Sequence, residues 1–385
     1  MPGTMGGSVH FTEVAQGLAK LGWEVMVCVP LENGYPEEEN FGAIKILRVN
    51  MKLKGKTFPI LALLKWRKLL GFKPDILMER YVTFGGVCSL LAKKLKKPFV
   101  LEVNSPHTKE FIFRFKIKNR LVINLLTRWS DFQFKTASKI ISTLNTIIPQ
   151  FAREKLIEVH WAANNDMFDL RNIDKKEQAQ LKRKLNLADG PVAIFLGTFR
   201  NWHGVSHLPF IIENTVKNVP DVKFILIGDG NELNSVKDKI NRLGLSDYVI
   251  FTGALPYKSV PVYMSLGNVG LAPYDREEYP PLKEFGFFWS PLKVFEYMAC
   301  SMPVITIDIE PLNKLVQNGK RGYVVKEGDY SDFCAKLIEL LKNPARCSNM
   351  GKSAREFTAQ NFSWEKHVNH LNNELIKLVA EKNNE

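Results

Sequence analysis

The sequence predicts an α/β fold of two Rossmann-like, doubly wound units, each on a parallel sheet, facing a common cleft. Three observations carry this. Short continuous apolar runs alternate with segments at helical spacing, the pattern of buried parallel strands joined by helices. The alternation stops at a polar stretch, Asp169–Gly190, dense in Lys, Asp and Gln, and then starts again. The length, 385 residues, suits two domains at about 100–200 residues each. The expected organisation is a first domain over 1–168, a linker over 169–190, a second domain over 191–360 and a last segment over 361–385.

Taken in order, Phe11, Val14, Ala15, Leu18 and Leu21 fall at helical spacing, and Gly22 ends that helix. Glu24–Pro30 reads as a buried strand, and Asp75–Met78 as another after Lys73-Pro74. Val87–Leu95 reads as a helix, with Pro98–Val103 and Lys139–Ser142 as strands. The second alternating unit supplies Val192–Leu196, Val222–Ile227, Tyr248–Phe251, Val269–Ala272 and Pro303–Ile307 as strands. The opening Met1–Gly7 is too short and too rich in glycine to be the strand that normally opens a doubly wound domain. The expectation is a first strand missing from this domain or preceding Met1, which would leave the first domain the less stable half.

Composition narrows the function classes. Net charge is +13, from 53 Lys+Arg against 40 Asp+Glu, which suggests an anionic partner (a phosphate ligand, a membrane surface or nucleic acid) without choosing among them. Apolar runs are far shorter than the ~20 residues that span a bilayer. Five scattered cysteines without CxxC spacing read as reduced thiols of a cytoplasmic protein. No HExxH, GxSxG or Walker loop occurs, so metal and triad chemistries have no motif, and no nucleic-acid module is present.

The strongest local signal is Ser290-Pro291-Leu292-Lys293-Val294-Phe295-Glu296. Ser290 reads as an N-cap and Pro291 as the first helical residue. The amides of Leu292 and Lys293 would then meet an anion, with the Lys293 charge beside them and Glu296 one turn on. A diphosphate with a sugar or ribose held by the carboxylate fits this pattern; so does a well-capped helix with a surface Lys–Glu pair. Gly6-Gly7-Ser8 reads as a loop before a helix, and Gly228 as a turn at the sheet's carboxyl edge. Thr198, Arg200, His203 and Gly204 follow the strand Val192–Leu196, where Arg200 and His203 can meet phosphate or simply pack. Two basic, apolar stretches, Met51–Lys73 and Lys109–Lys135, suit an anionic membrane surface, or else a solvated helix face over a core stripe.

The order of these pieces resembles the glycosyltransferase family 4 group, retaining enzymes of the GT-B fold that use nucleotide sugars. The resemblance runs from Gly6-Gly7-Ser8, through Trp161-Ala162-Ala163-Asn164 and Phe168, to Leu196-Gly197, Gly204 and Gly228-Asp229-Gly230. It continues through Phe251-Thr252-Gly253, Phe295-Glu296-Tyr297-Met298-Ala299 and Met302-Pro303-Val304 to Gly322-Tyr323 and Phe362-Ser363-Trp364. It implies Lys293, Glu296 and Asn104 as catalytic residues. It implies nucleotide-sugar binding by Gly7, Thr198, Arg200, His203, Gly204, Gly228, Gly253, Ser290, Leu292, Lys293 and Glu296, with a last helix that crosses back to the first domain. The pattern departs from the family at Phe288, where a first glutamate is expected, with Glu284 nearby. It departs also at Thr198 and His203, where Arg and Lys are expected, and at Asn104, where a His is expected and His107 follows.

What the resemblance implies is transfer of a sugar from a UDP- or GDP-sugar to an acceptor hydroxyl with retention, by a hexosyltransferase that needs no metal or other cofactor. The acceptor would be lipid-linked, a glycan or a small molecule, in cell-surface polysaccharide, glycolipid or glycoconjugate synthesis. The enzyme would be cytoplasmic, with weak association to the inner face of an anionic membrane, and no nucleic acid would be involved. Two alternatives remain: a GT-B sugar-nucleotide epimerase, and a catalytically weak nucleotide-sugar-binding partner protein.

Overall fold

The computed structural model describes residues 6–31, 34–49 and 66–383. The chain forms two compact units. One, called here the N-terminal unit, gathers Phe11–His160, Phe288–Ser290 and Glu365–Glu385. The other, the C-terminal unit, gathers Met1–His10, Trp161–Phe287 and Pro291–Trp364. The polar stretch 169–190 lies in the C-terminal unit, where Asp174 caps a largely exposed helix, Lys175–Lys184.

In the N-terminal unit the strands are β1 (Val25–Pro30), β2 (Glu38–Phe41), β3 (Ile44–Val49), β4 (Leu77–Arg80), β5 (Phe99–Val103), β6 (Lys139–Ser142) and β7 (Leu156–Glu158). They form two sheets, β1-β3-β2 and β4-β5-β6-β7. All pairings are parallel except β2 with β3. No strand precedes β1 among the described residues, and within them β1 pairs only with β3 and β4 only with β5. Central β5 is buried along its whole length, as a two-neighbour strand must be. The helices Gly6–Lys20 and Trp364–Asn383 supply Val14, Leu18, Val368, Leu371, Leu375 and Leu378 to one core with Val100, Ile141 and Val159. Their spacing of three, four and seven residues puts each set on a single helical face.

The C-terminal unit holds β8 (Val192–Leu196), β9 (Lys223–Ile227), β10 (Val249–Gly253), β11 (Val269–Ala272), β12 (Val304–Ile307) and β13 (Gly322–Val325). They form one parallel sheet in the order β10-β9-β8-β11-β12-β13. Chain order therefore runs outward in both directions from β8 and β11. The connections after these two neighbours diverge, which opens a crevice at their carboxyl ends.

Several expectations are corrected here. The glycines Gly6-Gly7 are not a loop before the first helix but its first turn, since the helix starts at Gly6. The hairpin β2–β3 and the strand β7 went unread. Glu38–Phe41 is exposed at every position, so it carries no apolar alternation to find. The stretch 51–65 of the first basic segment lies outside the described residues.

The one-sided pairing of β1 and β4 has a measurable consequence. An edge strand points half its amides away from its ladder. In hydrogen exchange, amides of Val25–Val29 and Leu77–Arg80 are expected to exchange at least about tenfold faster than those of Val192–Leu196, which is paired on both sides. Equal protection in mass-spectrometric exchange would contradict this.

Candidate functional site

The site is built where β8 and β11 part. The helix Leu292–Ala299 is held over this point by Tyr297. Its hydroxyl accepts from the Leu196 N–H at 2.6 Å and donates to the Leu271 C=O at 3.2 Å. One turn before Tyr297 stands Lys293, with Glu296 immediately before Tyr297. The sequence left open a surface Lys–Glu pair; the structure buries both, with Lys293 7% and Glu296 3% exposed.

Among the described residues, Lys293 Nζ and Glu296 Oε1 are buried without a hydrogen-bond partner. The ammonium lies 4.5 Å from the centre of the Phe195 ring and 4.9 Å from that of Tyr274. Such ring faces attract a cation but do not replace its solvation. Burial pushes the Lys293 ammonium down to about 7, with the Glu296 charge pulling the other way. Burial pushes the Glu296 carboxyl up to about 8, against the Tyr257 hydroxyl and Lys293.

The loop after β8 closes round the ammonium. Gly197 has φ +146, and a Cβ there would come within 2.8 Å of Lys293 Nζ and 3.5 Å of His203 Nδ1. Glycine is thus required both by conformation and by room for the lysine. His203 Nδ1 donates to the Thr198 C=O at 2.6 Å, which leaves Nε2 as an acceptor in the neutral ring. Burial, then Lys293, holds this imidazole well below its usual value. Arg200 stacks its guanidinium 5.2 Å from the Trp202 ring centre.

The remaining residues named from the sequence fall into place as follows. Gly204 closes the 201–203 turn, its N–H donating to the Asn201 C=O at 2.8 Å. Gly228 donates to the Gly253 C=O at 2.9 Å, so these two glycines tie neighbouring strand ends together. A Cβ on Gly228 would come within 2.0 Å of the Gly197 carbonyl, so its glycine serves loop packing. Leu292 packs against Val9, Ala162 and Trp364. Its amide and that of Lys293 precede the first helical bond, Val294 N–H to Pro291 C=O at 2.8 Å.

Ser290 does not cap the helix. The cap position is Pro291, with no side-chain cap bond, because the helix starts one residue later than the pattern suggests. Phe288 is fully buried and Glu284 exposed, so neither adds a carboxylate beside Lys293. Gly7 sits one turn before His10, whose buried ring stacks on Trp161 at 4.7 Å.

Asn104 belongs to the N-terminal unit. It follows β5 and donates to Glu102 Oε1 at 2.5 Å, an oxygen that also receives Arg80 at 3.1 Å. Nearby, His107 Nδ1 accepts from the Thr83 N–H at 3.1 Å. Burial lowers the pKa of His107, and neutral Nδ1 as acceptor leaves Nε2–H as a donor. Sequence reading missed Tyr257 and Tyr274 as site-forming residues, and named Gly197 and Tyr297 only as part of the motifs that carry the resemblance. A glycine directly after the first strand of a unit was the one local signal.

A buried, unpartnered cation beside free helix-start amides can hold an oxyanion, and a carboxylate one turn on can accept from hydroxyls. Two α/β units, one with this outward-running parallel sheet and its helix at the switch point, are the architecture of the GT-B fold. The Glycosyltransferase Family 4 model matches residues 4–154, and the Glycosyl transferases group 1 model matches 177–357. The chain belongs to the family 4 type of glycosyltransferase.

Among curated relatives, the N-acetyl-alpha-D-glucosaminyl L-malate synthase of Bacillus anthracis is 25% identical over 296 residues, 76% of this chain and 72% of its own length. A GDP-mannose-dependent alpha-(1-6)-phosphatidylinositol monomannoside mannosyltransferase of Mycolicibacterium smegmatis is 24% identical over 192 residues, half of this chain and 49% of its own length. The fold is shared with sucrose-phosphate synthase of Thermosynechococcus elongatus, at TM-score 0.77 and 17% identity over 98% of this chain and 94% of that one. It is shared also with Anabaena HepE in complex with UDP and glucose, at TM-score 0.73 and 15% identity over 98% and 97%. No described helix is long and apolar enough to cross a membrane.

A buried charge without a partner destabilises the protein that carries it. Lys293→Met is expected to raise the thermal midpoint of the ligand-free protein by about 3 °C at pH 7. Because the folded-state value of Lys293 lies below its unfolded one, the unfolded chain binds more protons above pH 7. The gain should therefore be largest at and below pH 7 and shrink as pH rises toward 10. Calorimetry across pH checks this, and a lower midpoint for the variant would contradict it.

Proposed function

We propose that the protein transfers a hexosyl group from a nucleoside diphosphate sugar to an acceptor hydroxyl with retention of anomeric configuration. The observation that carries the reading is Lys293 Nζ, buried without an acceptor one turn from the unpartnered Glu296 Oε1. In this reading the diphosphate sits against Lys293 and the Leu292 and Lys293 amides, with Arg200 as a second cation. Glu296 accepts from the ribose hydroxyls. As the bond from the sugar's anomeric carbon to phosphate oxygen breaks, its electron pair goes to the diphosphate. Preorganised positive groups in a dry site stabilise that developing charge. The acceptor oxygen bonds to the anomeric carbon on the same face, and its proton passes to the leaving phosphate oxygen. No enzymic nucleophile and no metal take part in this scheme.

The UDP held by the HepE neighbour supports a uridine donor, and the GDP-mannose named for the mycobacterial relative supports a guanosine one. Their printed names also span a small-molecule acceptor, malate, and a phosphatidylinositol lipid. Five free cysteines suit a reducing compartment, so the reading places the enzyme in the cytoplasm.

A thermal-shift series of UDP-, GDP- and ADP-sugars, followed by turnover with lipid and soluble acceptors, tests the reading. A bound donor should raise the midpoint with concentration. Lys293→Met should weaken UDP or GDP by about 1–3 kcal/mol and leave the nucleoside alone. Glu296→Gln should weaken nucleoside and nucleotide alike. No shift with any nucleotide, or equal losses in both variants, would sink the assignment.

The two groups also give opposite pH slopes. A diphosphate raises the Lys293 value from about 7, so binding takes up a proton and weakens as pH rises above 7. Hydroxyl donors favour the Glu296 carboxylate over the acid at about 8, so binding there releases a proton and strengthens up to pH 8. Nucleoside affinity should rise from pH 6 to 8 and then level. Nucleotide affinity should fall from pH 8 to 10, and Lys293→Met should abolish that fall. Titration calorimetry in buffers of differing ionisation heat reads both proton counts.

A further inference from the structure

Tyr274 stands two residues beyond the end of β11, at the carboxyl edge where β8 and β11 part. Its backbone is held on both sides by the loop after β8. A Cβ on Gly204 would come within 1.6 Å of the Pro273 carbonyl, so that loop lies directly on the residue before Tyr274. On the other side the Asp275 N–H donates to the Trp202 C=O at 3.1 Å. The same loop carries Thr198, Arg200 and His203.

The Tyr274 side chain is 3% exposed. Its ring meets His203 edge to face at 5.6 Å and Phe287 at 4.9 Å between centres. The Lys293 ammonium lies 4.9 Å from the ring centre. A phenylalanine would make all of these contacts, so packing does not account for the hydroxyl. Among the described residues that hydroxyl makes no hydrogen bond, and unlike Lys293 Nζ the oxygen is not sealed from solvent. Tyrosine hydroxyls in a folded interior normally have a partner, as those of Tyr81 and Tyr297 do. Burial, and then the Glu296 charge, push the phenol well above its ordinary value. It therefore keeps its proton throughout the neutral range and faces an anion as a hydrogen-bond donor.

We propose that the Tyr274 hydroxyl is a further catalytic group, which donates a hydrogen bond to the diphosphate of the bound donor. The proposal rests on the donor reading and adds to it a contact that carries direction. The Lys293 ammonium is a point charge, whereas a single O–H bond selects one phosphate oxygen. As the electron pair of the breaking bond reaches the diphosphate, its oxygens become stronger acceptors. The hydrogen bond therefore strengthens toward the transition state and lowers the barrier. The phenol keeps its proton, and the acceptor's proton still goes to the leaving phosphate oxygen. A sugar hydroxyl is the poorer partner, because the ammonium beside the ring favours an anion and a bond to an anion is about twice as strong.

The test is Tyr274→Phe, which keeps the ring and removes only the oxygen. Titration calorimetry compares UDP, GDP and ADP with their nucleosides. The variant should bind the diphosphate that the wild type prefers about tenfold more weakly and the matching nucleoside equally. With the matching donor sugar, kcat should fall at least about tenfold. The thermal midpoint of the ligand-free protein should stay within about 1 °C, since the oxygen has no hydrogen bond there to lose. The loss in affinity should be the same at pH 6 and pH 8, because the phenol does not titrate between them. The loss in Lys293→Met, by contrast, should shrink as pH rises above 7. An unchanged ratio of diphosphate to nucleoside affinity overturns the proposal, as does an unchanged kcat. A lower midpoint with equal losses for nucleoside and diphosphate also overturns it and makes the hydroxyl a packing group. A wild type that binds no nucleotide defeats the donor reading and this proposal with it. A wild type that binds, matched by the variant, defeats this proposal alone.

Discussion

The hydroxyl of Tyr297 bridges the ends of two strands whose connections run apart, and the candidate site depends on that bridge. It receives the Leu196 amide and donates to the Leu271 carbonyl, at the crevice between β8 and β11. Both partners are backbone groups, one at half-buried Leu196 and one at fully buried Leu271, so an unmade bond to the Leu271 carbonyl would leave a buried polar group unsatisfied. The ring fills the space above Gly270, where a Cβ would come within 2.4 Å of it. With Tyr297 locked, helical geometry dictates the rest. Lys293 lies four residues earlier on the same face, and Glu296 stands beside it.

That placement has an energetic cost. A lysine taken out of water without an acceptor, and a glutamate with one oxygen unpartnered, lose solvation that neighbouring aromatic rings restore only in part. Each responds by moving toward its neutral form, the lysine downward and the carboxyl upward. The surrounding sheet tolerates this because its central strands β8, β11 and β12 are almost wholly buried. The polar groups are held in shape before any ligand arrives, so less reorganisation is needed when charge develops.

The N-terminal unit is organised on a different balance. Two of its carboxylates are well partnered: Glu79 accepts from the Gly86 and Cys88 amides at 2.9 Å each, and Glu102 takes Arg80 and Asn104. A carboxylate at a helix start satisfies orphan amides and steadies the turn from β4 into the helix Val87–Leu95. Its outward face, by contrast, leaves leucines exposed between cations.

Some of this was legible in the residues alone. Buried parallel strands are continuous apolar runs, so Lys139–Ser142, Val192–Leu196 and Val269–Ala272 were read with their observed limits. The helix Val87–Leu95 was too, and the one-turn spacing of Lys293 and Glu296 already set them side by side. The exposed hairpin strand Glu38–Phe41 was not legible, because a strand bathed in solvent has no apolar period. Local pattern also misplaced the helix start at Ser290, where capping preference and the actual first turn differ by one residue. The sequence by itself determined the fold class and which helix carries the lysine and the carboxylate, since those follow from periodicity within a few turns. Only the tertiary structure decided that both are buried, with Lys293 Nζ and Glu296 Oε1 left unpartnered. Their surroundings (Phe195, Gly197, His203, Tyr257 and Tyr274) come from separate strands and loops, which only the strand order brings together.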